Sequence, residues 1–179
     1  MTKADIVDQI SERTGLTKKD VAETVDAVVA TGGLRVLPAY SFETCPPLDV
    51  LVVPGGLGTR VQVDNARLIQ WIREQAARVR TLASVCTGSF LLGQAGLLDG
   101  LRATTHWRSL DRMAQTFPSI RVEREQHVVE EGSVLTSAGI SAGIDMALRV
   151  VARYYGEAVA RATARHMEYP YPETNARRI

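Results

Sequence analysis

The sequence predicts an α/β fold, a parallel sheet sandwiched by helices, with a small helical hairpin in front. Three observations predict it. Apolar runs of strand length, at 48–53, 82–85 and 134–136, alternate with stretches of helical periodicity. Each run stops at small residues: Pro54-Gly55-Gly56, Cys86-Thr87-Gly88-Ser89 and Ser137-Ala138-Gly139. Alternation of this kind needs crossover connections, which place helices on both faces of a parallel sheet. Ligand chemistry then belongs at the carboxyl ends of the strands, where all three clusters fall.

Composition narrows the function classes. With 179 residues the chain makes one compact domain, with room for a small appendage. A net charge of +1 gives no bias toward nucleic acid or an anionic membrane. The two cysteines, Cys45 and Cys86, lie far apart and have no metal-ligand spacing, so no metal and no cofactor is expected. The charged N-terminus has no apolar core segment, so no signal peptide is expected. No run approaches the roughly 20 apolar residues of a membrane span. The expected setting is the reducing cytoplasm.

Residues 1–30 read as two short amphipathic helices. Thr2 can cap the first, whose stripe is Ile6, Val7 and Ile10, and Gly15 stops it. Thr17, with Asp20 three residues on, caps the second, and Val21, Val25, Val28 and Val29 form its stripe. This segment resembles the opening hairpin of HU/IHF-type nucleoid proteins, through Met1-Thr2-Lys3-Ala4-Asp5-Ile6-Val7 and Gly15-Leu16-Thr17-Lys18-Lys19. It lacks the basic arms that carry DNA affinity in that family. Its four basic and six acidic side chains sum to −2. A packing or dimerising hairpin is expected, and DNA is not an expected partner.

Residues 31–44 read as an extended arm or hairpin, and Cys45 as a structural residue in the turn before Pro46-Pro47. Leu48 to Val53 is a buried parallel strand. The glycines after it let backbone approach a ligand and turn an N–H inward. Residues 64–78 form an amphipathic helix, with Leu68, Ile69, Trp71, Ile72 and Ala76 facing the core. The strand 82–85 leads to Cys86, and a helix over Ser89–Ala95 follows, ended by Gly96. Another helix begins at Thr104-Thr105-His106-Trp107, with Thr105 its cap. Residues 120–136 alternate as a hairpin through Val122, Val128 and Val129, turning at Glu131-Gly132, with His127 on a solvated face. Ser141 caps the next helix, where Ile144, Met146, Ala147, Leu148, Val150 and Val151 pack inward and Asp145 suits the positive dipole end. A last helix spans Gly156 to Met167, with His166 in a structural place near its C-terminus. The tail from Tyr169 has no periodicity and reads as loop or disordered.

The chain is organised around Cys86. Strand, tight turn and helix make a nucleophile elbow with Cys in place of Ser. The helix N-terminus beside it favours a thiolate, so the thiol pKa is expected below about 8.5. Periodicity alone is equally compatible with a buried structural Cys.

Val53-Pro54-Gly55-Gly56, the Cys86 elbow, Thr104 to Trp107 and Thr136-Ser137-Ala138-Gly139 occur in one order. In that order they resemble the ThiJ/PfpI superfamily of class-I glutamine-amidotransferase-like proteins. The nearest branch is similar to the isonitrile hydratases and to sensor-like domains of AraC-type regulators. The resemblance covers about 31–179, so 1–30 is set apart as the hairpin and 31–179 as the ThiJ/PfpI-like domain. It implies a flavodoxin-like sheet that lacks the usual first strand-helix-strand, and with it the acidic residue that points at the Cys. The junction near Ala30 therefore looks like a fusion or a truncation. An inner strand lost in this way leaves a sheet edge to be covered.

The resemblance implies Cys86, Thr87 and Gly56 as catalytic residues, the Gly56 and Thr87 N–H groups forming an oxyanion hole. It implies Gly55, His106, Ser137, Ala138 and Gly139 as substrate-binding residues, with His106 able to orient or deprotonate Cys86. Thr87 stands where PfpI-type peptidases carry a His, which argues against peptidase chemistry. The implied function is hydration of a small-molecule isonitrile to an N-substituted formamide, in a homodimer. The alternatives are a glyoxalase or deglycase activity, a non-catalytic or redox-sensing domain, and a nucleoid-type protein. No AraC-type DNA-reading domain is expected after the tail.

Overall fold

The computed structural model describes Val36 and residues 38–178. The expected helical hairpin over 1–30 and the boundary near Ala30 lie outside the described residues. The chain divides into two compact units, Met1–Pro46 and Pro47–Ile179. In the first, Ser41 and Thr44 exchange side-chain and backbone hydrogen bonds across a turn. Cys45 follows as a free thiol that donates to the Pro46 carbonyl.

The second unit is an α/β sandwich. Strand β1 (Val50–Val53) leads to the one-turn helix α1 (Thr59–Gln62) and to α2 (Ala66–Ala76). Strand β2 (Thr81–Val85) leads through the Cys86 turn to α3 (Gly88–Gln94). Then come β3 (Arg102–Ala103), a 3-10 turn (Trp107–Ser109), α4 (Leu110–Thr116) and β4 (Arg121–Val122). Strands β5 (Val128–Glu131) and β6 (Val134–Ser137) precede α5 (Ala142–Tyr155) and α6 (Glu157–His166).

The main sheet has the order β1-β2-β6-β5. Its first three strands are parallel, and β5 returns antiparallel against β6. The sheet is therefore mixed, because a two-residue turn at Gly132-Ser133 admits only an antiparallel return. Register brings Val53, Ser84–Val85 and Ser137 level at the carboxyl ends.

Alternation along the strands divides the core. Leu51, Val53 and Leu82 face one side, packed with Ile69 and Ile72 of α2, Phe90 to Leu92 of α3 and Met113 of α4. Trp71 packs against this cluster from its rim. Ala83, Val128, Leu135 and Met146 of α5 fill the other side. Asn65 caps α2 by accepting from the Leu68 N–H at 3.2 Å.

Four local expectations are corrected. Val122 is not in the hairpin; it pairs with Ala103 in a separate two-stranded parallel sheet. His127 is not solvated but only 6% exposed, since the chain entering β5 is covered on its outer side. What covers it is the tail, which runs as loop apart from one bridging residue, Ala176. Asn175 accepts from Val128 N–H at 3.1 Å and donates to its carbonyl at 2.7 Å, while its own carbonyl takes the His127 N–H. Periodicity could not reveal this docking, because side-chain pairing to a strand edge leaves no repeat. Finally, the cap at residues 105–107 is His106, whose Nδ1 accepts from the Arg108 N–H; the Thr105 hydroxyl turns instead to the Cys86 carbonyl. Ser141 stands at the N-cap of α5 without a side-chain capping bond.

Candidate active site

Cys86 sits between β2 and α3 with φ +57°, in the left-handed region. That region disfavours non-glycine residues, so neighbours must hold the turn. They do so on both sides of the residue. The Cys86 N–H reaches the carbonyls of Ser137 and Ala138, each at 3.1 Å. The Cys86 carbonyl accepts from the hydroxyls of Thr105 at 2.9 Å and Ser89 at 3.1 Å. The side chain is half-buried and unbridged.

Small residues make this packing feasible. A Cβ on Gly55 would stand 2.7 Å from Thr87 N and 2.8 Å from Cys86 Cβ. A Cβ on Gly88 would stand 2.2 Å from the Val53 carbonyl oxygen. The β1 loop and the elbow thus touch backbone to backbone.

Gly56, at φ +123°, turns its N–H toward the elbow, where it donates to Thr87 Oγ1 at 3.0 Å. The buried Thr59 hydroxyl lies 2.8 Å from the Gly56 carbonyl and 3.0 Å from Thr87 Oγ1. In this arrangement the Thr87 hydroxyl occupies the Gly56 donor. Sequence reasoning missed Thr59, a residue 28 positions from Thr87 that no motif links to it.

On the other side of Cys86, Ser137 is fully buried and donates to the Ser84 carbonyl at 3.3 Å. The Ala138 N–H donates to the His127 carbonyl at 2.8 Å. Gly139 packs against the His106 ring, where a Cβ would lie 2.6 Å from Cδ2. His106 stacks on Trp107 with ring centroids 5.8 Å apart. Burial, then the nearby Arg108 and Arg177 guanidiniums, lower the His106 pKa. The ring is therefore neutral near pH 7 and accepts through Nδ1.

His106, Trp107, Ala138, Gly139 and Ile140 line a cavity of about 220 Å³. Its remaining wall comes from His127 and Ser141 and from Arg177 and Arg178 of the tail, which sequence reasoning left unassigned. Part of this wall belongs to a polar cluster around one buried carboxylate. Asp145, 3% exposed, takes the Arg178 guanidinium and the Tyr169 hydroxyl, the latter at 3.2 Å. His127 Nε2 stands 3.3 Å from Asp145 without hydrogen-bond alignment. Burial first, then Arg178, lower the His127 pKa; the Asp145 carboxylate opposes this but is already engaged. Among the described residues no group of His, Cys, Asp and Glu could hold a metal ion.

The DJ-1/PfpI family profile matches residues 6–153. The chain belongs to the DJ-1/PfpI family. This DJ-1/PfpI domain is 43% identical over 142 residues to an isonitrile hydratase of Pseudomonas putida, covering 79% of this chain and 61% of that protein. It is 32% identical over 142 residues to the HTH-type transcriptional regulator GbdR of Pseudomonas aeruginosa, covering 79% of this chain and 38% of the regulator. Among solved structures, a THiJ/PfpI family protein from Pseudomonas syringae superposes with a TM-score of 0.74 at 37% identity, over 84% of this chain and 62% of that one. The DJ-1/PfpI chain thus spans about three-fifths of the hydratase and under two-fifths of the regulator. Among the described residues no helix is long and apolar enough to cross a membrane.

Proposed function

We propose that the protein hydrates a small-molecule isonitrile to an N-substituted formamide, with Cys86 as nucleophile, as a homodimer in the cytoplasm. The observation that carries this reading is the 43% identity to isonitrile hydratase, over a stretch that includes the elbow. The Cys86 thiolate adds to the terminal carbon of R–N≡C, and that carbon takes a proton, giving a thioimidate. Water then adds to the same carbon, the C–S bond breaks, and the formamide leaves as the thiolate is restored. In this scheme the amide of Thr87, the N-cap residue of α3, is the donor to the charge that develops on the adduct. Thr87 Oγ1 is the switch in this scheme. When it releases the Gly56 N–H, that amide becomes the second donor, and the hydroxyl is free to pass a proton. His106, Gly55, Ser137, Ala138 and Gly139 shape the pocket around the substrate.

The test is direct. The full chain incubated with an aryl isocyanide is expected to yield formamide, and Cys86→Ser to reduce turnover to background. Turnover retained in Cys86→Ser would remove the nucleophile from the scheme. A second reading, a ligand-binding or redox-sensing domain without turnover, is favoured by the likeness to GbdR. It expects no formamide, and a Cys86-dependent gain of two oxygens in intact mass after peroxide treatment.

A further inference from the structure

The cavity beside the elbow is asymmetric in charge. Arg178 is neutralised by Asp145, and His127 lies over the same carboxylate. Arg177 is different. Its Nε–H donates to the Arg124 carbonyl at 2.6 Å, its Nη1 to the Thr105 carbonyl at 3.3 Å, and its Nη2 to Thr104 Oγ1. All three acceptors are neutral. Among the described residues no carboxylate lies within ion-pair distance of it, and Glu125, which acts on it through space, is exposed at the surface. A guanidinium has five N–H donors. Three bonds hold the group in place and leave one N–H on each terminal nitrogen.

The surroundings fit this reading. Arg177 lowers the pKa of both His106 and His127, so the cavity carries a positive field. Both rings lie in its wall, as does the start of the 14-residue helix α5, whose positive dipole end adds the same sign. The other wall is apolar. The Trp107 ring is 46% exposed, and Ile140, at φ +40°, is 81% exposed. A β-branched residue in that conformation is strained, as residues at ligand clamps often are. At about 220 Å³ the cavity is smaller than the ~300–1,000 Å³ of drug-sized sites.

We propose that this cavity binds the carboxylate of a small molecule with an apolar body, Arg177 being its charge partner and Trp107 and Ile140 its apolar wall. Planar carboxylate and guanidinium match bidentately, and a fork already fixed by three bonds loses little entropy on binding. Ala138, one of the lining residues, is also hydrogen-bonded to the elbow, its carbonyl accepting the Cys86 N–H at 3.1 Å. The proposal deepens the hydratase reading and rests on it for turnover, but not for binding. The substrate class becomes isonitriles that carry a carboxylate.

Histidine ring NMR on the full wild-type chain tests the binding step without any variant. Acetate is expected to raise the His106 pKa saturably, while acetamide, and chloride at equal ionic strength, leave it in place. Arg177→Lys, which keeps the charge, is expected to weaken that response, and Arg177→Met to remove it. An unmoved His106 in the wild type with acetate overturns the proposal, whatever the variants do. For turnover, isocyanoacetate is expected to exceed its methyl ester in kcat/KM by about tenfold, the effect of one charge-assisted hydrogen bond. Equal rates for acid and ester overturn the proposal and leave the hydratase reading standing. An acetate response without formamide from either isonitrile does the reverse.

Discussion

Cys86 holds a backbone conformation that costs an L-residue about 1–2 kcal/mol, and four hydrogen bonds keep it there. A glycine at this position escapes that cost. Cys86→Gly is therefore expected to be about 1 kcal/mol more stable to urea than Cys86→Ala, although neither has a thiol. Equal midpoints would mean that the turn is unstrained. Gly88 is the complementary case. A methyl group added there would overlap the Val53 carbonyl, which belongs to a strand and cannot yield. Gly88→Ala is expected to lose about 1–3 kcal/mol or fail to accumulate as a folded chain, measured by thermal melting. Both residues were visible in the sequence as small residues at a strand end. That Thr59 and Thr105 also serve the elbow was not, since one reaches it from the start of α1 and the other from the loop after β3.

At the scale of elements, β5 is protected by a tail with no periodic signal. Asn175 replaces a neighbouring strand, satisfying both backbone groups of Val128, and Gln126 and Ala176 form a bridge beside it. This covers an edge that would otherwise be open to pairing with other chains. Asn175→Ala leaves a buried N–H and a carbonyl unpaired, so a loss of about 1–3 kcal/mol is expected by urea denaturation. Faster amide exchange at Val128 should accompany it; an unchanged exchange rate would show that the tail does not cap the strand. The main elements were legible because β1, β2 and β6 are short apolar runs and α2 and α5 carry apolar stripes, although Val52 of β1 and Ala147 of α5, both expected inside, are exposed. The strand pair β3-β4 was not, because two-residue strands are too short to show any period.

For the whole molecule, acid stability follows from two histidines. Folding lowers the pKa of both His106 and His127 below the ordinary value of 6.5. The unfolded chain therefore binds more protons than the folded one as pH falls below about 6.5, and stability falls with it. Above that value their contribution is complete. The melting temperature is expected to be flat from about pH 8 to 7 and to decline from about pH 6.5 to 5. His127→Gln should flatten part of that decline, and a slope unchanged in this variant would place the proton uptake elsewhere. The mixed sheet, the two-sided core and the level carboxyl ends are the frame on which this charge cluster is set.

The sequence by itself determined the α/β class, the elbow at Cys86 and the family, because short apolar runs, small residues at their ends and motif order are local properties. Only the tertiary structure decided that His127 is buried over Asp145, that the Thr87 hydroxyl holds the Gly56 amide, and that Arg177 closes a cavity beside Cys86. Each of these joins groups from 18 to more than 90 positions apart along the chain. Hydrogen bonds and charge at such separations depend on where the backbone returns, and no local pattern records that.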